Sequence, residues 1–130
     1  MITDPIADYL TRLRNAIQAR HKRVQVPASS FKREITRMLA DQKFIASYEE
    51  IKDNKQGMIK ITLRYTDGES AIAGLQRISS PGRRVYVNAE EIPRVLNGMG
   101  IAVISTSKGL MTDKQARQGH IGGEVVCHIW

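Results

Sequence analysis

Ile104-Ser105-Thr106-Ser107-Lys108-Gly109-Leu110-Met111-Thr112-Asp113 is the stretch on which the reading of this chain turns. The apolar run Ile101 to Ile104 reads as a buried strand. It gives way to three short hydroxyl side chains, then to a Lys-Gly pair, then to a helix start. Thr112, with Gln115 three residues on, fits a capping box. Each hydroxyl both donates and accepts, the lysine supplies a cation, and the glycine lets a backbone approach closely. Such a surface binds RNA without performing chemistry. The plainer reading is a Ser/Thr-rich turn, and the ten residues alone leave both open.

Working outward, Gly119 ends the short helix, and Gly122-Gly123 leads into a last strand, Glu124 to Trp130. Upstream, Ala71 to Ile78 and Arg84 to Val87 read as short strands joined by a turn at Ser79-Ser80-Pro81-Gly82. Glu91 to Leu96 reads as a short helix closed by Asn97-Gly98-Met99-Gly100. Thr66-Asp67-Gly68-Glu69-Ser70 is the best boundary.

Before that boundary, Asp4 is placed to cap a helix with Pro5 at its first position. Ile6, Leu10, Leu13 and Ile17 form its apolar stripe. Val24 to Pro27 is a strand stopped by proline. Ser29 or Ser30 caps a second helix, with Phe31, Ile35, Met38 and Leu39 inward and Lys32, Arg33 and Arg37 outward. Phe44 to Lys52 and Met58 to Tyr65 are strands around an Asp53–Gly57 turn. The expected fold class is α+β, as two small packed subdomains. Residues 1–70 form an N-terminal α-β-α-β-β unit, and residues 71–130 form a strand-rich unit with a short helix.

Of 130 residues, 42% are hydrophobic, enough for a packed core. The net charge of +7 and pI near 9.9 fit a nucleic-acid binder or simply a soluble basic protein. Residues 1–40 carry net +5, residues 41–70 net −1 and residues 71–130 net +3. The single Cys127 excludes an intrachain disulfide and suggests a reducing compartment. There is neither an apolar run of membrane length nor a basic, apolar leader. A cytoplasmic protein with no membrane partner is expected.

No catalytic or cofactor constellation emerges. Cys127 and His128 are adjacent and point to opposite faces of a strand, with His21 and His120 remote in sequence, so no metal site is expected. Cys127 in an apolar strand reads as a buried thiol. Gly98-Met99-Gly100 lacks the third glycine of a dinucleotide fingerprint and precedes a strand. For nucleic acid, Arg12, Arg14, Lys32, Arg33, Arg37, Lys55, Arg83, Arg84 and Lys108 are candidate phosphate contacts. Tyr86, beside Arg83 and Arg84, either stacks on a base or sugar or packs in the sheet. Trp130 reads as core.

These residues resemble a known family. Thr3-Asp4-Pro5-Ile6-Ala7-Asp8, Leu10-Thr11-Arg12 and Arg14-Asn15-Ala16 are similar to the N-terminal signature of bacterial small-subunit ribosomal protein S8. So are Ile78-Ser79, Pro81-Gly82-Arg83-Arg84-Val85-Tyr86, Leu96-Asn97-Gly98-Met99-Gly100-Ile101, the Ser-Thr-Ser-Lys-Gly and Met-Thr-Asp blocks, and Gly122-Gly123-Glu124-Val125. Arg83, Gln115 and His120 depart from the family pattern. The resemblance implies a non-enzymatic structural protein of the small subunit that binds the central domain of its ribosomal RNA early in assembly. Neighbouring ribosomal proteins would be further partners. It also implies repression of an operon of ribosomal protein genes through its messenger, with no cofactor and no small-molecule substrate. The implied RNA contacts are Ser105, Thr106, Ser107 and Lys108, with Gly122, Gly123, Glu124, Tyr86 and Arg84 alongside. A second patch comprises Thr3, Asp4, Arg12, Arg14, Asn15, Lys32 and Lys55. Cations would hold phosphates, while hydroxyls and glycine amides would read sugar hydroxyls and base edges. Glu124 would accept from a base amino group or steady the serine loop.

Overall fold

Alternation of apolar and polar residues sets the first sheet. In a computed structural model, which describes residues 4–130, Ile59, Ile61 and Leu63 of β3 (Met58–Leu63) are buried and the residues between them are not. β3 is the central strand, paired antiparallel with β1 (Arg23–Pro27) and β2 (Ile45–Ile51). Helix α1 (Pro5–Gln18) buries Tyr9, Leu10, Leu13 and Ala16, and α2 (Ser30–Asp41) buries Ile35, Met38 and Leu39. Ser29 caps α2, its hydroxyl accepting from the Lys32 amide at 3.2 Å. Tyr9 and Thr36 tie the helices together at 2.6 Å. Thr36 already donates to the Lys32 carbonyl, so Tyr9 is the donor. Lys32, expected on the outer face, is instead 7% exposed. Its position follows the turn of α2 that buries Thr36 four residues on.

The expected boundary segment is itself structured. β4 (Tyr65–Thr66) and β5 (Glu69–Ser70) form a small hairpin. Its two central residues, Asp67 and Gly68, both have positive φ (53° and 81°), as a type I′ turn requires. The chain divides into two compact units: Ile6–Ala73, and Gly74–Trp130 with Asp4 and Pro5. Within the second, the Asp4 carboxylate takes two bonds from Arg77 (3.0 and 3.3 Å).

The second sheet is built around β10 (Gly123–Ile129). β7 (Tyr86–Val87) flanks its beginning and β6 (Leu75–Arg77) its end on one side. β8 (Ile101–Thr106) lies on the other side and carries β9 (Gly109–Thr112) outside it. A bulge at Val126 interrupts the β10–β8 register. The freed Val126 carbonyl accepts from Ile78 (3.1 Å) and from the Arg77 guanidinium (2.7 Å). Ile92, Val95, Ala102, Ile104, Ala116 and Val125 form the core, with Trp130 packed against it.

Three expectations for this unit are corrected. Only Leu75–Arg77 of the segment Ala71 to Ile78 joins the sheet. Glu91 to Leu96 forms no helix: single 3-10 turns at Ala89–Glu91 and Leu96–Gly98 flank Pro93, which lacks an amide donor and holds Ile92 extended. Gly109–Thr112 is a strand, hidden because a Lys-Gly turn and a helix cap bracket only four residues. The capping box forms as expected: the Thr112 hydroxyl accepts from the Gln115 amide and the Gln115 side chain from the Thr112 amide. It opens α3 (Asp113–Gln118). Asp113 is buried, accepting from the Ala102 amide at 3.1 Å and pairing with Arg117 at 2.8 Å. Thr112→Ala removes the cap, with an expected loss of about 1 kcal/mol in chemical denaturation. A change under a few tenths would show that Asp113 alone anchors α3.

Candidate RNA-binding face

Sheet register assembles the site. Tyr86 of β7 pairs Glu124 of β10, which pairs Ser105 of β8, which pairs Leu110 of β9. Residues in such a row project to one side. The next row, Val125, Ile104 and Met111, projects to the other side and enters the core. Tyr86 is 69% exposed, so it does not pack in the sheet and its ring is available.

The hydroxyl segment is divided by the hairpin. Ser105 and Thr106 end β8, and Ser107 and Lys108 form its turn. The Thr106 hydroxyl donates to the Gly109 carbonyl (2.8 Å) and accepts from the Lys108 amide (3.0 Å), so it pins the turn. Among the described residues, the hydroxyls of Ser105 and Ser107 hold no hydrogen bond, and Ser107 and Lys108 are exposed.

Gly122 and Gly123 make the close strand approach possible. A Cβ on Gly123 would lie 2.2 Å from the Ser105 carbonyl oxygen, and one on Gly122 2.4 Å from that of Val87. In the sequence the pair only leads into the last strand; the structure shows that the glycines are needed for space.

Glu124 faces inward along the row. One of its oxygens, Oε2, accepts from Ser79 Oγ at 2.5 Å and from the Arg84 guanidinium at 3.0 Å. Ser79, fully buried, accepts in turn from the Val85 amide at 3.0 Å. Burial alone would push the Glu124 pKa up, but the bonds from Ser79 and Arg84 outweigh it and hold the carboxyl below its ordinary value. Sequence reading missed Ser79. It sat in a Ser-Ser-Pro-Gly turn whose burial had no periodic signal.

The second patch is more dispersed. Arg12 pairs with Asp8 one turn away at 3.0 Å, both exposed. Asn15 is exposed and Arg14 half-buried on the same helix. Lys55 is exposed in a turn fixed by Asp53, which accepts from the amides of Lys55 (2.7 Å) and Gly57 (2.9 Å). Lys32 and Lys55 share the end where α2 begins, since the Ala28 amide donates to the Gly57 carbonyl. The burial of Lys32 and the Arg77 pairing of Asp4 take both from the surface expected of them. Thr3 lies outside the described residues.

Cys127 is buried and its thiol is pushed up to about 12 by that burial, so it is no nucleophile. No His, Cys, Asp or Glu cluster among the described residues is arranged to hold a metal. Among the described residues no helix is long and apolar enough to cross a membrane. Two glycines let this sheet end close tightly, beside an exposed ring, two hydroxyls without hydrogen bonds and the exposed cations Arg84 and Lys108.

The family profile for ribosomal protein S8 matches residues 4–130. Curated relatives named small ribosomal subunit protein uS8 align end to end. That of Thermodesulfovibrio yellowstonii is 56% identical over all of both chains. That of Clostridioides difficile is 57% identical over 99% of this chain and 98% of its own. That of Geobacillus kaustophilus is 57% identical over 100% and 99%. The chain belongs to the ribosomal protein S8 family, whose members are structural rather than enzymatic.

Proposed function

We propose that this protein binds the central domain of small-subunit ribosomal RNA through the row from Tyr86 to Ser105, early in subunit assembly. Its family makes it a structural component of the small ribosomal subunit, working in the cytoplasm within the ribosome beside other ribosomal proteins. The observation that carries the finer reading is the conjunction of an exposed Tyr86 with the uncommitted hydroxyls of Ser105 and Ser107. Ring and hydroxyls suit bases, sugar edges and 2′-hydroxyls; Lys108 and Arg84 supply charge for phosphates. Arg12, Arg14, Asn15 and Lys55 form the second patch. A messenger that folds into the same shape would be held by the same groups, which is the route to repression of its operon.

Nuclease footprinting of small-subunit ribosomal RNA tests this reading, with protection expected at one internal helix junction. Ser107→Ala is expected to weaken binding by about 1–3 kcal/mol, the range for stranding a buried polar partner. Unchanged affinity removes Ser107 from the site. Duplex DNA that competes equally at high salt would reduce the interaction to charge alone.

A further inference from the structure

The unit Ile6–Ala73 has a cationic end that the proposed contacts leave unused. Both of its helices stop there. After α1, the His21 amide donates to the Ala16 carbonyl and Arg20 to Ile17; after α2, Phe44 donates to Leu39 and Lys43 to Ala40. This is the Schellman pattern, in which glycine is the usual left-handed residue. Here that position holds Arg20 (φ 57°) and Lys43 (φ 64°). The strand ends converge on the same place. The Leu63 amide donates to the Lys22 carbonyl at 2.8 Å, Arg23 pairs Thr62, and the Arg64 guanidinium donates to the Lys43 carbonyl at 3.0 Å.

Arg20, Lys22, Arg23, Lys43 and Arg64 are all exposed. Among the described residues none forms an ion pair with a carboxylate, whereas Arg12, Arg33, Arg37 and Lys60 of the same unit each do. The acids nearest in the chain, Asp41, Asp67 and Glu69, are outnumbered and exposed. Helix dipoles favour cations at Arg20 and Lys43. They do not account for Lys22, Arg23 and Arg64 on the strands, and glycine would close both helices with less backbone strain.

We propose that this end is a further RNA-binding surface, besides the Tyr86 row and the patch of Arg12, Arg14, Asn15 and Lys55, and that it holds the phosphate backbone of a segment distinct from the one at Tyr86. The inference rests on the reading that the protein binds ribosomal RNA. Guanidinium and ammonium groups dominate this end; the exposed His21 imidazole lies between Arg20 and Lys22, and the Tyr65 hydroxyl is committed to the His21 carbonyl at 2.7 Å. The contacts of this surface are therefore with phosphates and independent of sequence.

The experiment compares two triple variants on two RNAs. Lys22→Gln with Arg23→Gln and Arg64→Gln neutralises the surface; Lys52→Gln with Arg94→Gln and Lys114→Gln removes equal charge elsewhere. The RNAs are full-length small-subunit ribosomal RNA and the nuclease-resistant fragment that the protein protects. The first variant is expected to bind full-length RNA at least tenfold more weakly, with a log-affinity against log-salt slope shallower by about 2. Its affinity for the fragment stays within about threefold, as does that of the control for both RNAs. Equal losses by both variants, or no loss by the first, overturn the proposal. Tyr86→Ala provides the separate check on the reading beneath it, since that variant is to lose the fragment itself. Arg20→Gly with Lys43→Gly adds a readout that a capping role would not give: a higher Tm together with weaker binding to full-length RNA. A lower Tm with unchanged binding assigns these two residues to capping alone and removes them from the surface.

Discussion

Gly123→Ala is expected to destabilise the protein by about 3 kcal/mol and to lower its Tm by roughly 10 °C. The added methyl would meet the Ser105 carbonyl oxygen at 2.2 Å and its carbon at 3.0 Å. Ordinary contact lies at 3.4–4 Å. Both obstructing atoms are backbone, so no side-chain rotation relieves the clash. β8 and β10 must part by more than an ångström where Glu124 pairs Ser105. That pair is the centre of the proposed RNA-binding row, so affinity for the ribosomal RNA fragment is expected to fall at least tenfold along with stability. Gly82→Ala is the matched control. Nothing lies within 4 Å of a Cβ there, and replacing a tolerant glycine stabilises by about 0.4–1 kcal/mol through the unfolded chain. A Gly123→Ala protein that melts within 2 °C of the parent and keeps its affinity would show that the strand approach yields readily.

The periodic parts of this fold were legible before any coordinates. Ile59, Ile61 and Leu63 announce β3 because one face of a sheet must be dry, and the stripe from Ile6 to Ile17 announces α1 for the same reason. Thr112 and Gln115 give the third helix through local hydrogen bonding alone. What failed was decided at long range or by short elements. β9 has four residues, too few for a period to register, and Pro93 split an expected helix into two turns. In the site, the types were readable and the commitments were not. Three adjacent hydroxyls look alike in sequence, yet Thr106 spends its hydroxyl on the hairpin while Ser105 and Ser107 do not. Lys32 reads as one more surface cation until the phase of α2 buries it. Ser79 becomes important only through Glu124, which lies 45 residues away in the chain.

Glu124→Ala is expected to weaken RNA binding by roughly 10–100-fold, although it removes a negative charge from an RNA-binding face. Simple electrostatics gives the opposite sign, since a carboxylate near phosphates costs on the order of 1 kcal/mol even in high dielectric. The hydrogen bonds decide between the two. Oε2 gathers Ser79 and Arg84, and Ser79 holds the Val85 amide immediately before Tyr86. Without the carboxylate the buried Ser79 hydroxyl loses its acceptor, at about 1–3 kcal/mol, and the segment presenting Arg84 and Tyr86 loses its anchor. Glu124→Gln keeps the shape but not the charge, and belongs between the parent and alanine. The pH dependence has a definite sign. Because the folded carboxyl titrates below its ordinary value of 4.5, it stabilises the protein above that pH, and the contribution disappears as pH falls through the lower, folded value. The gap in Tm between parent and Glu124→Gln should therefore be constant from pH 7 to about 5 and close in more acid solution. Tighter RNA binding by Glu124→Ala would make the carboxylate a mere repulsive neighbour of the site; weaker binding, with the Tm gap closing in acid, makes it the group that holds the tyrosine in place.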